Sequence, residues 1–338
     1  MRGILKTLLT VALLAAPGYA AAQTPGAKAA PLTGSISGGI ASGTFGLVGE
    51  AVIEMVRREY PGSSIIYDQT SSAGTLSRLM KNEIKTGFAF SQIEMVAAQN
   101  AIAPFKEKLS MNGVTFVARV AEGMKLFAVA PKEFVDKYGI KTFADIKAKK
   151  VPVRISLHRT EVVTVSGQVN ELMKAYGITE ADIKSWGGEV HREATAGYTK
   201  LMKNRRLDVA FSTAWHPSKD VAELEAGTEL AFIPFDKPQV DQVAKAFGLE
   251  TTVIKAGAYD FLKADYYTTD LAFPILARSD APDHLIYGLA KSLHNQFSYF
   301  QSVHPVFAAY DKSMLSKAGG VPYHPSALRL YKEVGLVK

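Results

Sequence analysis

The chain has 338 residues, 47% of them apolar and 21% charged, with a formal charge of +7 and no cysteine. Disulfides and a lipid-modified cysteine anchor are excluded, so the fold must stand on its apolar cores. The basic residues are scattered, with short clusters only at "KAKK" (147–150) and "KNRR" (203–206). A nucleic-acid groove concentrates its cations on one face, so no nucleic-acid partner is expected; the positive excess suits small anions instead.

Residues 1–22 read as a cleaved secretory signal. Arg2 and Lys6 precede the apolar run "LLTVALLAA" (8–16), and small residues Ala20 and Ala22 follow. The run is shorter than the roughly 20 residues a bilayer span requires. The mature protein is therefore expected to be soluble, exported to the periplasm and not anchored in the membrane. Residues 23–33 read as a small-residue linker. The rest is more chain than one core usually supports, so two lobes of about 150 residues are expected.

"GSISGGI" (34–40) reads as a strand. "GLVGEAVIEMVRREYPG" (46–62) places Leu47, Val48, Val52, Ile53 and Val56 at helical spacing, and Pro61-Gly62 stops it. "SSIIYDQT" (63–70) is a strand, "TLSRLMKNEIKT" (75–86) a helix and "GFAFSQ" (87–92) a strand. That alternation predicts a parallel sheet. A second unit starts near residue 124: strand 125–131, helix 143–150, strand 151–157, helix 160–177 and strand 206–213. "DLAFPILAR" (270–278) is an apolar strand, followed by helix 281–297 with a proline near its start. Extended segments near 117–122 and 270–278 are expected to join the two units. Residues 218–268 give no clear pattern. In such sheets ligands sit outside the carboxyl ends of the strands.

Four stretches fall at those ends. "SGGIASGTFGLVGEAVIEM" (37–55) holds five glycines, but neither G-x-G-x-x-G nor Gly-Lys-Ser/Thr; no lysine occurs between Lys28 and Lys81. A nucleotide loop is therefore not expected. Backbone N–H groups at the helix start attract an anion, Ser42 and Thr44 add hydroxyl donors, and Phe45 supplies an apolar wall. The alternative is a tight strand-to-helix turn without a ligand. In "QTSSAGTLSR", Ser72 and Thr75 are candidate ligand contacts, although Ser71, Ser72 or Thr75 can also cap the helix; in "FSQIE", Ser91 and Gln92 are candidates. "SLHRTEVVTV" offers His158, Arg159 and Thr160. An arginine there can clamp a carboxylate in a bidentate pair, while Thr160 is also a good N-cap. "FSTAWHPS" offers Thr213 and Trp215, the latter as a ligand cover or as core packing. The seven histidines show no H-E-x-x-H or other paired metal spacing, and no G-x-S-x-G elbow occurs. A binding protein is expected rather than an enzyme, with no metal.

Five stretches in order together resemble the TAXI family, the periplasmic solute-binding subunits of tripartite ATP-independent (TRAP) transporters. They are "SGGIASGTFGLVGEAV", "TLSRLMKNEIKTGFAFSQIEMVAAQNA", "RLDVAFSTAWHPS", "AGAYDFLKADYYTTDLAFPILARSDAPDHLIYGLAKSL" and "GGVPYHPSALRLYKEVG", spanning about 35 to 335. The resemblance implies an α/β, two-lobed periplasmic-binding-protein fold of type II-like build. Each lobe would hold a mostly parallel sheet with flanking helices: residues 34–121 plus 275–338 in one lobe, 122–274 in the other, with a cleft between. It also implies capture of a small organic anion, delivery to TRAP membrane subunits, and no cofactor. A monomer is the default. Another class of reading is a ligand-sensing module for a membrane signalling receptor. The chain departs from the family at three places. Phe45-Gly46-Leu47 stands for Tyr-Tyr-Pro, Ser-Ala-Gly-Thr for Ser-x-x-Asn, and Leu157-His158-Arg159-Thr160 for Gly-Ser-Gly-Thr. The last puts a cationic side chain where the family has a bare backbone turn, which points to a carboxylate other than glutamate.

Overall fold

Two strands much longer than the rest organise the molecule. The computed structural model describes residues 30–39, 44–89 and 91–338, apart from the side chains of Thr44, Ser72 and Ser91. The expected signal at 1–22 and Ser42 lie outside the described residues. The first unit is β1 (Thr33–Gly38), α1 (Thr44–Glu59), β2 (Ser64–Gln69), α2 (Ser72–Met80), β3 (Thr86–Phe88) and α3 (Ser91–Asn100). Long strand β4 (Val114–Pro131) leads to α4 (Lys132–Tyr138) and α5 (Ala144–Ala148). The second unit is β5 (Arg154–Ser156), α6 (Val163–Tyr176), α7 (Glu180–Ser185), β6 (Glu189–His191), α8 (Thr195–Lys203), β7 (Val209–Ala214) and α9 (Lys219–Glu225). Next come β8 (Leu230–Phe232), α10 (Lys237–Phe247), β9 (Glu250–Ile254) and the second long strand, β10 (Tyr266–Arg278). The chain closes with α11 (Asp283–Asn295), α12 (Phe297–Val303), two 3-10 turns (Pro305–Ala309 and Lys312–Ser316) and α13 (Pro325–Glu333).

The sheet runs β2-β1-β3-β10-β4-β7-β5-β6, with β8 on β4 and β9 on β10. β1, β2 and β3 are parallel, and so are β5, β6 and β7. The long strands pair antiparallel with each other and with their neighbours, joining the two parallel units into one sheet. The segments read as separate strands near 117–122 and 125–131 are thus one continuous strand. Residues 218–268, unreadable as sequence, hold α9, β8, α10 and β9. Helix α2 starts before its expected position and stops at Met80, because Ser71 caps it: its Oγ accepts the Gly74 N–H at 3.0 Å. Helices α4, α6 and α10 each end on a glycine in the left-handed region, at Gly139, Gly177 and Gly248. Leu32 and Thr33, within the stretch read as linker, are a buried side chain and the first residue of β1.

Buried side chains form two clusters. One lies under α1, α11, α12 and α13 and includes Val48, Val52, Phe116, Phe273, Leu289 and Tyr331. The other covers the second unit and extends across α2 and α3 through Leu76, Leu79 and Ile93. Helix α3 reaches α6 closely: Ile93 Cγ2 lies 3.5 Å from the point a Cβ on Gly167 would occupy. Arg154 ties β5 to β7 through Asp208, with Nε to Oδ2 at 2.9 Å and Nη2 to Oδ1 at 2.5 Å.

Three of the five clustered glycines are explained by packing. A Cβ on Gly38 would stand 2.5 Å from the Tyr67 hydroxyl oxygen, one on Gly49 would stand 2.4 Å from Tyr67 Cε2, and one on Gly39 would stand 2.5 Å from Phe45 Cδ2. Tyr67 itself donates to the Gly39 carbonyl at 2.7 Å. These three glycines make room for two aromatic rings. Gly49→Ala gains about 1 kcal/mol of helix propensity but drives the new methyl into Tyr67, for a net loss of about 1–2 kcal/mol. Thermal unfolding should show a lower Tm, and the loss should vanish in a Tyr67→Leu background. A higher Tm for Gly49→Ala alone would contradict the packing account.

Candidate functional site

The registers define where the two units face each other. β3 ends at Phe88 opposite Ile275, which on its other side pairs with Ala118. β7 ends at Ala214 opposite Lys125. Residues 119–124 of β4, about 20 Å of strand, therefore separate the two ends. β3 runs in the direction of β4, and β7 runs against it, so the carboxyl ends of both parallel units open onto this one gap. The loops that leave those ends carry the residues singled out in the sequence.

An aromatic series crosses the gap. Phe45, at the start of α1, packs edge-on against Phe273 of β10 with ring centroids 5.6 Å apart, and Trp215, just past β7, lies 6.0 Å from the same ring. Trp215 also meets Phe307 at 5.3 Å and His304 at 5.4 Å, and its Nε1 donates to the Glu122 carbonyl at 2.9 Å. That carbonyl accepts a second bond, from the Tyr310 hydroxyl at 2.5 Å. Phe45 and Trp215 are thus brought together, with Trp215 pinned across the junction as half-buried packing. Thr213, on the same strand end, is half-buried and pairs with Leu126.

On the second unit, the turn between β5 and α6 is irregular. His158 is buried and holds φ +66°, a left-handed conformation that costs a non-glycine residue of order 1 kcal/mol. Burial pushes its imidazole down to about 4, so the ring is neutral at pH 7, and Nδ1 is buried with no hydrogen-bond partner among the described residues. Arg159, next to it, is exposed, and its guanidinium has no ion-pair or hydrogen-bond partner among the described residues. Thr160 does not cap α6 as expected. The helix begins at Val163 with Val162 in the cap position and no side-chain cap, because the chain makes one more turn first; Ser166 Oγ donates towards the Thr160 and Val162 carbonyls, 3.2 Å from each.

On the first unit the picture is mixed. Thr75 is fully buried with its hydroxyl 3.2 Å from Ser37 Oγ, beneath the loop rather than on its surface. Thr44, Ser72 and Ser91 lie in the first turns of α1, α2 and α3, with side chains outside the described set. Gln92 turns to the outer side of the seam. Its Nε2 donates to the Gly319 carbonyl at 3.3 Å, its Cγ lies 3.9 Å from where a Cβ on Gly248 would stand, and it lines a cavity of about 840 Å³.

Two groups escaped the sequence reading. Asp270, in the middle of β10, accepts the Gly123 N–H at 2.7 Å, where Gly123 sits at φ +92° inside β4; Lys125 Nζ donates to the Gly123 carbonyl at 2.9 Å. Burial pushes the Asp270 carboxyl up to about 6, against the pull of Lys125 and the Gly123 amide. The signal for it was an acid inside the apolar run "TTDLAFP" and a glycine inside the strand "AEGMKLF". His216 Nδ1 lies 2.7 Å from the Tyr259 hydroxyl, which accepts the Ser218 N–H at 2.7 Å. The other ring nitrogen, Nε2, is buried with no hydrogen-bond partner among the described residues. Burial, aided by Lys125, pushes this imidazole down to about 3. Among the described residues, no group of three His, Asp or Glu is placed to hold a metal ion.

Because its folded-state carboxyl titrates above the unfolded value, Asp270 binds a proton more readily in the folded chain. Its contribution favours folding below about pH 4 and is lost as pH rises through about 6, a change on the order of 2–3 kcal/mol. Asp270→Asn removes it, so chemical denaturation should show the variant gaining stability relative to wild type between pH 4 and pH 7. A pH-independent difference would contradict the burial of this carboxylate.

Comparison with known proteins places this geometry in a wider group. The periplasmic binding protein BugD matches with a TM-score of 0.50 at 10% identity, covering 90% of this chain and 99% of its own. MatC from Rhodopseudomonas palustris, solved with bound malate, matches with a TM-score of 0.49 at 13% identity, covering 90% and 96%. The periplasmic aliphatic sulphonate binding protein SsuA from Escherichia coli matches with a TM-score of 0.46 at 12% identity, covering 91% and 84%. The likeness to BugD shows the fold, the two-lobed α/β architecture of periplasmic binding proteins. A model of the NMT1-like family matches residues 36–335, and the chain belongs to that family.

Proposed function

We propose that this protein is a periplasmic solute receptor that captures a small organic anion, a carboxylate, in the junction cleft. Residues 34–121 with 275–338 form one lobe and residues 122–274 the other. The loaded protein, a monomer exported through its cleaved N-terminal signal, delivers the solute to a TRAP-type transporter as a member of the TAXI group. The observation that carries the reading is the convergence of both sets of strand carboxyl ends on one gap, with the guanidinium of Arg159, unpaired among the described residues, on the turn that leaves β5. Anions are drawn to such a cation, and a planar carboxylate can take two of its N–H groups at once. The sequence nominates Ser42, Thr44, Ser72 and Ser91 as further hydroxyl donors, and His158 Nδ1, without a partner among the described residues, stands beside Arg159 on the same turn. A ligand touching both lobes stabilises the closed arrangement by the contacts available only there.

Purified protein should gain thermal stability with at least one member of an organic-acid panel. Saturation at 100 times the Kd corresponds to about 2.7 kcal/mol. For that acid, whose pair with Arg159 becomes buried on closure, Arg159→Ala should weaken binding by about 2–5 kcal/mol in calorimetric titration. A folded protein that shifts with no acid, or an affinity unchanged in Arg159→Ala, would contradict the proposal.

A further inference from the structure

We infer that the cavity on the outer side of the seam is a second small-molecule site, and that it takes an amphipathic monoanion: a carboxylate with an apolar tail. Its walls come from α3, the start of β4, the end of α10 and the turn 319–322. The volume, about 840 Å³, falls within the range of small-molecule sites, which are mostly apolar with a few polar groups for orientation. Met95, Val96, Met111, Phe247 and Val321 make the apolar wall, and the two methionines can adapt to a flexible chain.

Charge selects the head group. Lys245 is the one charged side chain in the lining, and it has no ion-pair partner among the described residues. It stands in the last turn of α10, where the helix dipole favours a cation. No carboxylate lines the cavity, so a cationic ligand finds no partner, and a dianion would leave its second charge unpaired against apolar wall. The remaining polar groups are neutral; the Gln92 amide is already engaged with Gly319. Junction and cavity therefore differ in kind. The junction offers the planar fork of Arg159 for a compact polar acid, whereas the cavity offers one ammonium beside a greasy wall.

Filling the cavity has a mechanical consequence. The α10 wall belongs to the lobe of residues 122–274 and the other walls to its partner, so an occupant joins the two. This coupling rests on the receptor reading proposed above; the binding itself does not.

The test is titration calorimetry and thermal shift on the whole protein with decanoate, decanol and succinate. Decanoate should bind saturably with a Kd below about 1 mM, decanol at least tenfold more weakly, and succinate not at this site. Lys245→Glu should weaken decanoate at least tenfold and leave decanol unchanged. Ala246→Trp, which fills the cavity from an exposed position, should abolish both, and Arg159→Ala should change neither. No saturable decanoate binding, binding that survives both Lys245→Glu and Ala246→Trp, or binding lost in Arg159→Ala would each overturn the inference. If the organic-acid panel fails while decanoate binds through Lys245, the receptor proposal falls and the cavity assignment stands.

Discussion

The antiparallel pairing of β4 with β10 is the constraint on which the rest depends. Each parallel unit has only three short strands, and each hangs on one part of this pair. The pairing is regular near its end at Val114 and Arg278 but irregular at the junction, where the register shifts between Leu271 and Phe273, between Phe273 and Pro274, and between Ile275 and Leu276. Pro274 has no N–H to give; its carbonyl takes the Ala89 N–H at 3.0 Å, so the end of β3 is stitched on at the same point. Gly123 at φ +92° and Asp270 on its amide complete a locally broken ladder. A few residues that absorb backbone rotation at the ends of packed elements are what hinge motion requires.

Around this junction the contacts are of two kinds. One side is apolar: Phe45, Phe273, Trp215 and Phe307 meet in sequence, edge-on or tilted. The other is ionic. The buried guanidinium of Arg119 meets Glu122 at 3.0 Å, Glu250 at 3.1 Å and the Lys317 carbonyl at 3.1 Å, and Lys317 Nζ returns to Glu122 at 3.4 Å. Glu250 opens β9, whereas Arg119 stands in β4 and Lys317 follows the second 3-10 turn. A buried arginine left without these partners would be costly, so the ionic contacts register the two halves as well as holding them.

Much of the architecture could be read from the chain. The alternation of strand and helix over 34–92, the strands at 125–131, 151–157 and 206–213, the helix over 160–177 and the Pro-Gly stop after α1 are local signals with local causes, whereas α4, α7, β6 and α8 were not read. What could not be read depended on partners distant in sequence. Glycines 38, 39 and 49 look like an anion loop until Tyr67 and Phe45 are seen against them. Asp270 looks like a stray acid in a strand until Gly123 is found across the ladder, 147 residues away. Thr75 looks like a ligand contact until its partner Ser37 is placed. Residues 218–268 were opaque because their short strands pair only at the flanks of β4 and β10, so packing rather than periodicity decides them. Arg159 could be singled out as a candidate from the chain alone, since an arginine in a strand-to-helix turn carries its chemistry with it.

The central claim is that two lobes joined at 119–124 and 270–274 close on a small anion. A chain without cysteine permits clean placement of two spin labels, at Lys184→Cys in the second lobe and Lys332→Cys in the first, both exposed. The most direct measurement is the distance distribution between those labels with and without the acid that raises thermal stability. Closure predicts a shorter and narrower distribution on saturation, reversed when Arg159→Ala removes binding. The same distribution in the free and saturated protein would contradict the account.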